Sequence, residues 1–261
     1  MTIESVPMAR ATGLGRINPV AKLLASILIA LLLVLTIDWV SAGTALVLEL
    51  ALFAAAGVGW VLFWRRTWFV WIAAVFAGIT IALYGQPSGE VYVDWLLVRV
   101  SDGSLELAAA TTLRVLAIGL PAVVLFARVD PTDLADGLAQ VLRLPSRFVL
   151  GALAAFRLVG LLAQDWRSLE LARRARGVAD QGRLRRFAGL AFSTFVLAIR
   201  RGSALATAME ARGFGGPSPR SWARHSPFGW RESTLILVAG LVGAIAAAAA
   251  ILTGHWTFIV R

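Results

Sequence analysis

Two copies of the tripeptide Ala-Arg-Gly have the residue types and spacing best suited to binding chemistry in this sequence. They are Ala175-Arg176-Gly177 and Ala211-Arg212-Gly213, and each ends a long stretch of helical composition. Glycine just beyond a helix end adopts the left-handed cap conformation without strain, so the preceding arginine lies at the helix tip. A guanidinium placed there presents a planar fork of donors that pairs with a partner's carboxylate. The alternative is a cationic C-cap alone, which stabilises a helix by under about 1 kcal/mol.

Patterns for catalysis or metal binding are weak in the rest of the sequence. The chain has no cysteine, and its two histidines, His225 and His255, are far apart and lack neighbours of the types that ligate metals. Lys22, the single lysine, lies between Ala21 and Leu23, so the Gly-Lys-Ser/Thr signature of a nucleotide-binding P-loop is absent. We therefore predict that the chain is not an enzyme and has no catalytic residue, metal site or cofactor of its own.

The composition indicates that the elements carrying these motifs lie in or against a membrane. Of the 261 residues, 59% are hydrophobic and 15% are charged, and the mean hydropathy is +0.77. Ordinary soluble domains contain about 45–50% apolar and about 25% charged residues. A chain this apolar exposes more hydrophobic surface than a water-soluble fold of its size can bury, so we predict an integral membrane protein with the lipid bilayer as its solvent.

The net charge of +10 is concentrated in one segment. Residues 128–231 contain 17 of the 25 Lys and Arg residues and 7 of the 15 Asp and Glu residues, so they account for all of it. Basic segments of membrane proteins remain on the cytoplasmic side, and this placement favours a membrane protein over one that binds nucleic acid. We predict three regions: transmembrane helices in 1–127, a cytoplasmic segment in 128–231 and a last transmembrane helix in 232–261.

Five apolar stretches are close to the length of about 20 residues that a membrane-spanning helix needs. They are residues 20–37, 42–63, 68–84, 105–126 and 233–253. Basic residues flank alternate ends, including a predicted turn at Arg65 and Arg66. This pattern predicts about five transmembrane helices in an all-α membrane protein of the bacterial cytoplasmic (inner) membrane. The N-terminus and residues 128–231 are predicted inside, and the loop 85–104 and the C-terminus outside.

Two further apolar stretches lie within the basic segment. Residues 187–199 are short for a span, and residues 148–163 contain Arg157 near their middle, where a charge facing lipid costs at least about 2.5 kcal/mol. We therefore predict two long cytoplasmic helices at the membrane surface or packed under the other helices. Leu144-Pro145, Gly177 to Gly182 and Gly213 to Pro219 mark their ends.

Taken in order, these motifs resemble the transmembrane T component of energy-coupling factor transporters, the ABC-type importers of vitamins and transition-metal ions. The resemblance covers nearly the whole chain. It rests on Asn18-Pro19-Val20-Ala21-Lys22-Leu23-Leu24, on Asp130-Pro131-Thr132-Asp133-Leu134 followed by Leu144-Pro145, on the first signature Glu170-Leu171-Ala172-Arg173-Arg174-Ala175-Arg176-Gly177, and on the second, Ala208-Met209-Glu210-Ala211-Arg212-Gly213-Phe214.

The resemblance implies a non-catalytic subunit that transmits the ATP-driven motion of two ABC ATPase subunits to a substrate-binding membrane S component. In that family the two long cytoplasmic helices are coupling helices, and their Ala-Arg-Gly ends dock into the ATPases, which bind the ATP. By this resemblance the six residues of the two tripeptides bind the ATPases, and Arg173, Arg174 and Glu210 support them. The small residues expected to face the S component are Gly151, Ala152, Ala154 and Ala155.

Two other classes of function compete with this interpretation. A self-sufficient secondary transporter would need ionisable groups along several spans, and the first four spans offer chiefly Glu49 and Arg114. A membrane-bound enzyme could hold an anionic lipid or a phosphate with the arginines of 173–186, but it would lack an evident general base. The sequence leaves open the transported substrate, whether the module serves one S component or several, and whether the ATPase pair is a homodimer or a heterodimer.

Overall fold

The computed structural model describes residues 13–36, 38–85, 88–95, 98–177, 182–216 and 221–254. The predictions for the two chain termini and for His255 concern residues outside these ranges. The chain divides into two compact units, one formed by residues 1–134 and 227–261 and the other by residues 135–226. In chain order the described elements are a short 3-10 helix (Gly13–Arg16), α1 (Pro19–Val34), α2 (Trp39–Ala55), α3 (Trp60–Tyr84), β1 (Val91–Trp95), β2 (Val98–Ser101), α4 (Asp102–Phe126), α5 (Pro131–Gln140), α6 (Ser146–Ala175), α7 (Arg183–Ala211) and α8 (Trp230–Leu252).

The first unit is a helix bundle in which α3 packs on α4, α8 packs on α1 and α2, and α4 also contacts α1 and α2. Its core combines large aliphatic side chains such as Leu33 and Leu120 with many buried alanines. Small residues let helix backbones approach closely, which is how helices associate where lipid removes the hydrophobic drive between them. Gly119 of α4 makes such a close approach to α3, because an added Cβ would lie 2.6 Å from Val70 Cγ1.

The starts of α1 and α8 are tied together by side chains. Asn18 caps α1, and its Oδ1 accepts a hydrogen bond from the Val20 backbone N–H at 3.0 Å. Its own backbone N–H donates to Glu232 Oε1 of α8 at 3.2 Å, and its Nδ2 donates to the Pro227 carbonyl at 2.9 Å. Glu232 Oε2 also accepts from the Gly229 N–H at 2.9 Å. The Asn18-Pro19 sequence therefore starts α1 and joins it to the last helix.

The predicted turn at Arg65 and Arg66 is wrong. α3 runs without interruption from Trp60 to Tyr84 and includes both arginines. The break lies earlier, after Ala55, where Gly57 adopts a φ of +69°. Arginine is a good helix former, whereas glycine in this conformation ends a helix. The charged pair therefore misplaced the predicted boundary between α2 and α3 by several residues.

The loop predicted at 85–104 contains a two-stranded antiparallel sheet. β1 and β2 pair with Val91 opposite Ser101 and Trp95 opposite Val98. Ser101 then caps α4, with its Oγ accepting from the Ser104 N–H at 3.3 Å. Tyr92 Oη donates to Asp102 Oδ1 at 2.7 Å, which joins β1 to the start of α4.

The all-α membrane fold class is confirmed. Among the described helices, α3, α4, α6 and α8 are long and apolar enough to cross a membrane. α1 and α2 are apolar helices of 16 and 17 residues, or about 24–26 Å at 1.5 Å per residue, slightly under the hydrocarbon thickness of about 30 Å. α6 is predicted at the membrane surface or packed under the other helices because of Arg157, yet its length and composition also suit a span. It is the helix whose sequence fits both locations.

The second unit contains the end of α5 followed by α6 and α7. A small core forms where Ala135 and Ala139 of α5 pack with Val149 of α6 and with Trp222. Gln140 fixes the segment after α7, because its Nε2 donates to the Arg224 carbonyl at 2.8 Å and its Oε1 accepts from the Ser226 N–H at 3.0 Å. The Ala-Arg-Gly motifs belong to this unit.

Candidate partner-binding tips

The first Ala-Arg-Gly motif forms the C-terminal tip of α6. The helix ends at Ala175, and Arg176 is the capping residue with φ −86° and ψ 2°. Gly177 adopts a φ of +69°, and its N–H donates to the Arg174 carbonyl at 3.1 Å. All three residues of the motif are exposed. The predicted left-handed glycine cap is therefore observed, and the arginine lies at the helix tip.

The second motif repeats this geometry at the end of α7. Arg212 caps the helix with φ −89° and ψ 11°, and Gly213 follows at φ +76°. The Gly213 N–H donates to the Glu210 carbonyl at 2.8 Å, and the Phe214 N–H donates to the Met209 carbonyl at 3.0 Å. These two bonds make a Schellman motif, which satisfies the last carbonyls of the helix. Ala211, Arg212 and Gly213 are exposed like their counterparts.

Ion pairs hold α6 and α7 together as an antiparallel hairpin. Glu170 Oε1 accepts from Arg174 at 2.8 Å and also from Arg186 of α7. Further from the connection, Asp165 Oδ1 accepts from Arg201 Nη2 at 2.8 Å. Earlier residues of α6 thus pair with later residues of α7, which is the antiparallel order. The rings of Trp166 and Phe187 add an aromatic contact, with centroids 5.6 Å apart.

The antiparallel order places the two tips at opposite ends of the hairpin. The tip at Arg176 lies beside the connection that leads into α7, whereas Arg212 follows the far end of that helix. α7 has 29 residues, which corresponds to about 43 Å at 1.5 Å per residue. One hairpin therefore presents two arginine tips of the same geometry about 40 Å apart.

The three residues predicted to support the tips have different environments. Arg173 turns towards α7, where its Nη2 donates to the Gly189 carbonyl at 2.9 Å and to Ser193 Oγ at 3.1 Å. Arg174 is exposed and pairs with Glu170, and Glu210 is exposed next to the second tip. Arg173 therefore joins the two helices, while Arg174 and Glu210 remain on the surface near the arginines they were expected to assist.

Large apolar side chains cover both helices of the hairpin on the outside. Phe148 is 78% exposed on α6, and Phe192 is 70% exposed on α7. Among the small residues predicted to face a partner, Ala152 and Ala155 are exposed and Gly151 and Ala154 are half-buried. Ala154 lines a cavity of about 580 Å³ between the two helices, together with Leu153, Arg157 and Leu205. Only part of the predicted small-residue set lies on the outer surface.

The sequence did not identify the residues that make the hairpin rigid. Glu170 and Arg186 are separated by the helix connection, as are Asp165 and Arg201, so no local pattern pairs them. The signal that could have found them is that the only two acids of α6, Asp165 and Glu170, both lie in its C-terminal half, the half that precedes the connection to the arginine-rich α7. Within the described residues there is no group of three or more His, Asp or Glu side chains that could hold a metal ion.

The long apolar helices define an all-α membrane protein, and its basic hairpin carries two exposed arginine tips. The family described as cobalt transport protein, CbiQ, matches residues 11–222, and the chain belongs to this family.

The chain is similar to proteins named energy-coupling factor transporter transmembrane protein EcfT. It is 27% identical to the one from Brevibacillus brevis over 257 residues, which cover 93% of both chains. It is 26% identical to the one from Bacillus selenitireducens over 235 residues, covering 85% of this chain and 87% of the relative. The alignment with the protein from Limosilactobacillus fermentum, at 28% identity, covers 63% of this chain and 66% of the relative. The resemblance to the T component family is confirmed.

Proposed function

We propose that this chain is the transmembrane coupling subunit of an energy-coupling factor importer and transmits the motion of two ABC ATPase subunits to a substrate-binding S component. The observation that carries the proposal is the pair of exposed Ala-Arg-Gly tips, which share one cap geometry and lie at opposite ends of one hairpin. Their similarity supports two partners of the same kind, and their separation supports one partner at each tip.

In this proposal Arg176 and Arg212 are the anchors. Each guanidinium pairs with an acidic side chain of one ATPase, and the adjacent glycine lets the partner approach the backbone closely. Glu170 and Asp165 pair with arginines of α7, so a displacement of one tip moves the whole hairpin rather than a single helix. The exposed apolar faces of α6 and α7 contact the S component, whose position then follows the ATPases.

The proposal assigns substrate recognition to the S component and ATP hydrolysis to the ATPases. The substrate class is a vitamin or a transition-metal ion such as cobalt or nickel. The ATPase pair is a homodimer or a heterodimer, since the tips share Ala-Arg-Gly but differ in the residues before it, Arg173-Arg174 against Met209-Glu210. We place the protein in the bacterial cytoplasmic membrane with residues 128–231 on the cytoplasmic side, because that segment contains the excess of arginine.

Reversing the charge of both tips tests the proposal. The chain is purified with a tag from native membranes, and the co-purifying proteins are identified by mass spectrometry. Wild type is expected to bring down ABC ATPases and a small membrane protein. The double variant Arg176→Glu/Arg212→Glu is expected to lose the ATPases at least tenfold, because replacing an anchor with a carboxylate leaves two like charges facing each other in the contact.

The matched control is Arg167→Glu/Arg200→Glu. These two exposed arginines lie on the same two helices but away from the tips, so the control changes the net charge by the same amount. The control is expected to keep the ATPases. Equal loss in both double variants would show a general charge effect, and full recovery with the tip variant would refute the anchor role.

A second candidate function is a self-sufficient secondary transporter, which one observation favours. Glu49 of α2 is 2% exposed, and neither carboxylate oxygen has a hydrogen-bond partner within the described part of the chain. It lines an apolar cavity of about 260 Å³ together with Pro121, Arg231 and Val242. Ion-driven uptake by the purified chain alone in liposomes, abolished by Glu49→Gln, would support this function. Uptake only in the presence of ATPases and an S component would reject it.

A further inference from the structure

Three basic side chains surround one cavity at the end of the bundle where α1 and α3 begin and α4 ends. They are Lys22 of α1, Arg66 of α3 and Arg128, two residues beyond α4. Lys22 is 3% exposed, although it is the chain's single lysine and lies in its first apolar helix. Burying an ammonium group is costly unless it has a partner of opposite charge. The arrangement therefore calls for a negative group in the cavity.

The chain supplies no such group among the residues that the structure describes. The described salt bridges are all in the hairpin of α6 and α7, and none involves Lys22, Arg66 or Arg128. No described acidic residue lines the cavity. Arg66 donates one hydrogen bond to the carbonyl of Ala127, which also lines the cavity, and this bond uses only one of the donors of its guanidinium.

The start of α3 adds positive potential to the same place. Gly59 is the capping residue of α3 and lines the cavity, and having no side chain it cannot cap the first N–H groups of the helix. Free N–H groups at a helix start, together with the helix dipole, favour an anion. A buried ammonium, two guanidinium groups and an uncapped helix start thus converge on one small volume.

The volume and the apolar lining of the cavity indicate which kind of anion fits it. Its volume is about 60 Å³, room for about four water molecules at 10–15 Å³ each, which suits a phosphate group. The remaining lining is apolar and includes Leu62, Phe63 and Val124. Trp60 and Trp64, which are 71% and 40% exposed, lie on the first turns of the same helix, and tryptophan favours the level of lipid headgroups.

We propose that this cavity binds the phosphate group of an anionic membrane phospholipid, with Lys22, Arg66 and Arg128 holding the phosphate and the apolar floor contacting the start of an acyl chain. The site is separate from the arginine tips, since every residue that forms it belongs to the first unit. A lipid held there joins α1, α3 and α4 at one membrane surface.

The test measures lipid retention by native mass spectrometry. Full-length protein is equilibrated in detergent with equal amounts of phosphatidylglycerol and phosphatidylcholine. Wild type is expected to retain one phosphatidylglycerol in preference to phosphatidylcholine. Lys22→Gln and Arg128→Gln are each expected to lower that preference about fivefold, the effect of one basic residue on binding an anionic lipid. Lys22→Arg, which keeps the charge, is expected to retain most of the preference.

The matched control is Arg65→Gln, which removes the same charge one residue from Arg66 but does not line this cavity. It is expected to leave the lipid preference unchanged. An equal loss in Arg65→Gln, or no preference in wild type, would overturn the proposal. If Lys22→Gln fails to accumulate, Arg128→Gln gives the same test, because Arg128 is exposed and its replacement should not impair folding.

A second arm separates a lipid from a free anion. Wild type and Lys22→Gln in phosphatidylcholine alone are titrated with inorganic phosphate, and phosphate is then added to the complex with phosphatidylglycerol. The lipid site predicts that phosphate neither binds measurably nor displaces the lipid. Binding of phosphate to wild type that Lys22→Gln abolishes, with displacement of the lipid, would assign the site to a soluble phosphate and overturn the lipid assignment.

Discussion

Neighbouring arginines at the end of α6 have separate functions that depend on where each side chain points. Arg173 donates to the Gly189 carbonyl and to Ser193 Oγ, so it joins α6 to α7. Arg176, three residues later, is exposed at the tip and free to meet a partner. A substitution at either position changes the charge by the same amount but acts on a different property: the rigidity of the hairpin for Arg173 and, in the proposed function, docking to an ATPase for Arg176.

Replacing Arg173 with alanine is expected to loosen the hairpin. The variant loses two hydrogen bonds between the helices, and we expect a loss of about 1 kcal/mol because the guanidinium is partly solvated. Hydrogen exchange should become faster by about fivefold for the amides of residues 186–195. Arg176→Ala is the control and should leave exchange in that segment unchanged. Unaltered exchange in Arg173→Ala would show that the contact does not stabilise the hairpin.

The sequence was informative at the tips because their geometry is local. A helical stretch ending in Arg-Gly predicts both the cap and the exposed arginine, and both are observed at Gly177 and Gly213. It was not informative about Arg173, because spacing alone does not say which of three nearby arginines faces α7. That choice depends on how the two helices cross, which is a property of the pair.

At the scale of elements, hydrophobic stretches located most helices, whereas their ends depended on single glycines. The boundary between α2 and α3 follows Gly57 and Gly59 and not the charged pair Arg65-Arg66. Trp60, Trp64 and Trp71 then fall on one face of a continuous helix, with Trp64 stacked on Trp71 at 5.3 Å between centroids. Charge indicates where a chain meets the membrane surface, but it does not end a helix.

The close contact of α3 with α4 predicts opposite effects for two glycine substitutions. Gly119→Ala places a Cβ 2.6 Å from Val70 Cγ1, and Val70 is buried and stiff at χ1, so we expect about 1–3 kcal/mol of destabilisation. Gly151→Ala meets nothing within 4 Å and should stabilise α6 by about 0.5–1 kcal/mol. Thermal unfolding in detergent, followed by tryptophan fluorescence, should lower the apparent Tm for the first variant only. A lower Tm for both would argue against the steric explanation.

At the scale of the whole molecule, the first unit is assembled from both ends of the chain. Residues 1–134 and 227–261 form one bundle, and residues 135–226 are inserted between them. The charge pattern predicts a separate basic segment at residues 128–231, but composition could not predict which early helices contact α8. That packing depends on shape, through buried positions such as Ala239, Val242 and Ala246 of α8.

The hydrogen bonds of Glu232 join the start of α1 to the start of α8, and a substitution measures how much they stabilise the bundle. It is 8% exposed and accepts hydrogen bonds from the N–H groups of Asn18 and Gly229. Glu232→Ala leaves both donors without this acceptor, and we expect about 1–3 kcal/mol of destabilisation and a lower Tm. Ser233→Ala, at the exposed neighbouring position, should change Tm little. Equal Tm values for Glu232→Ala and wild type would show that helix packing alone joins the ends.

Because residues 135–226 are inserted in the first unit, the helices of that unit cannot all pack together as they are translated. α1 to α4 reach the membrane first, yet the faces of α1 and α2 that receive α8 stay uncovered while the whole hairpin is translated. α8, which covers these faces, is translated only after α7. A nascent chain halted before Trp230 lacks α8, so those faces of α1 and α2 remain uncovered. Protease sensitivity of the early helices should therefore fall only once α8 has been inserted.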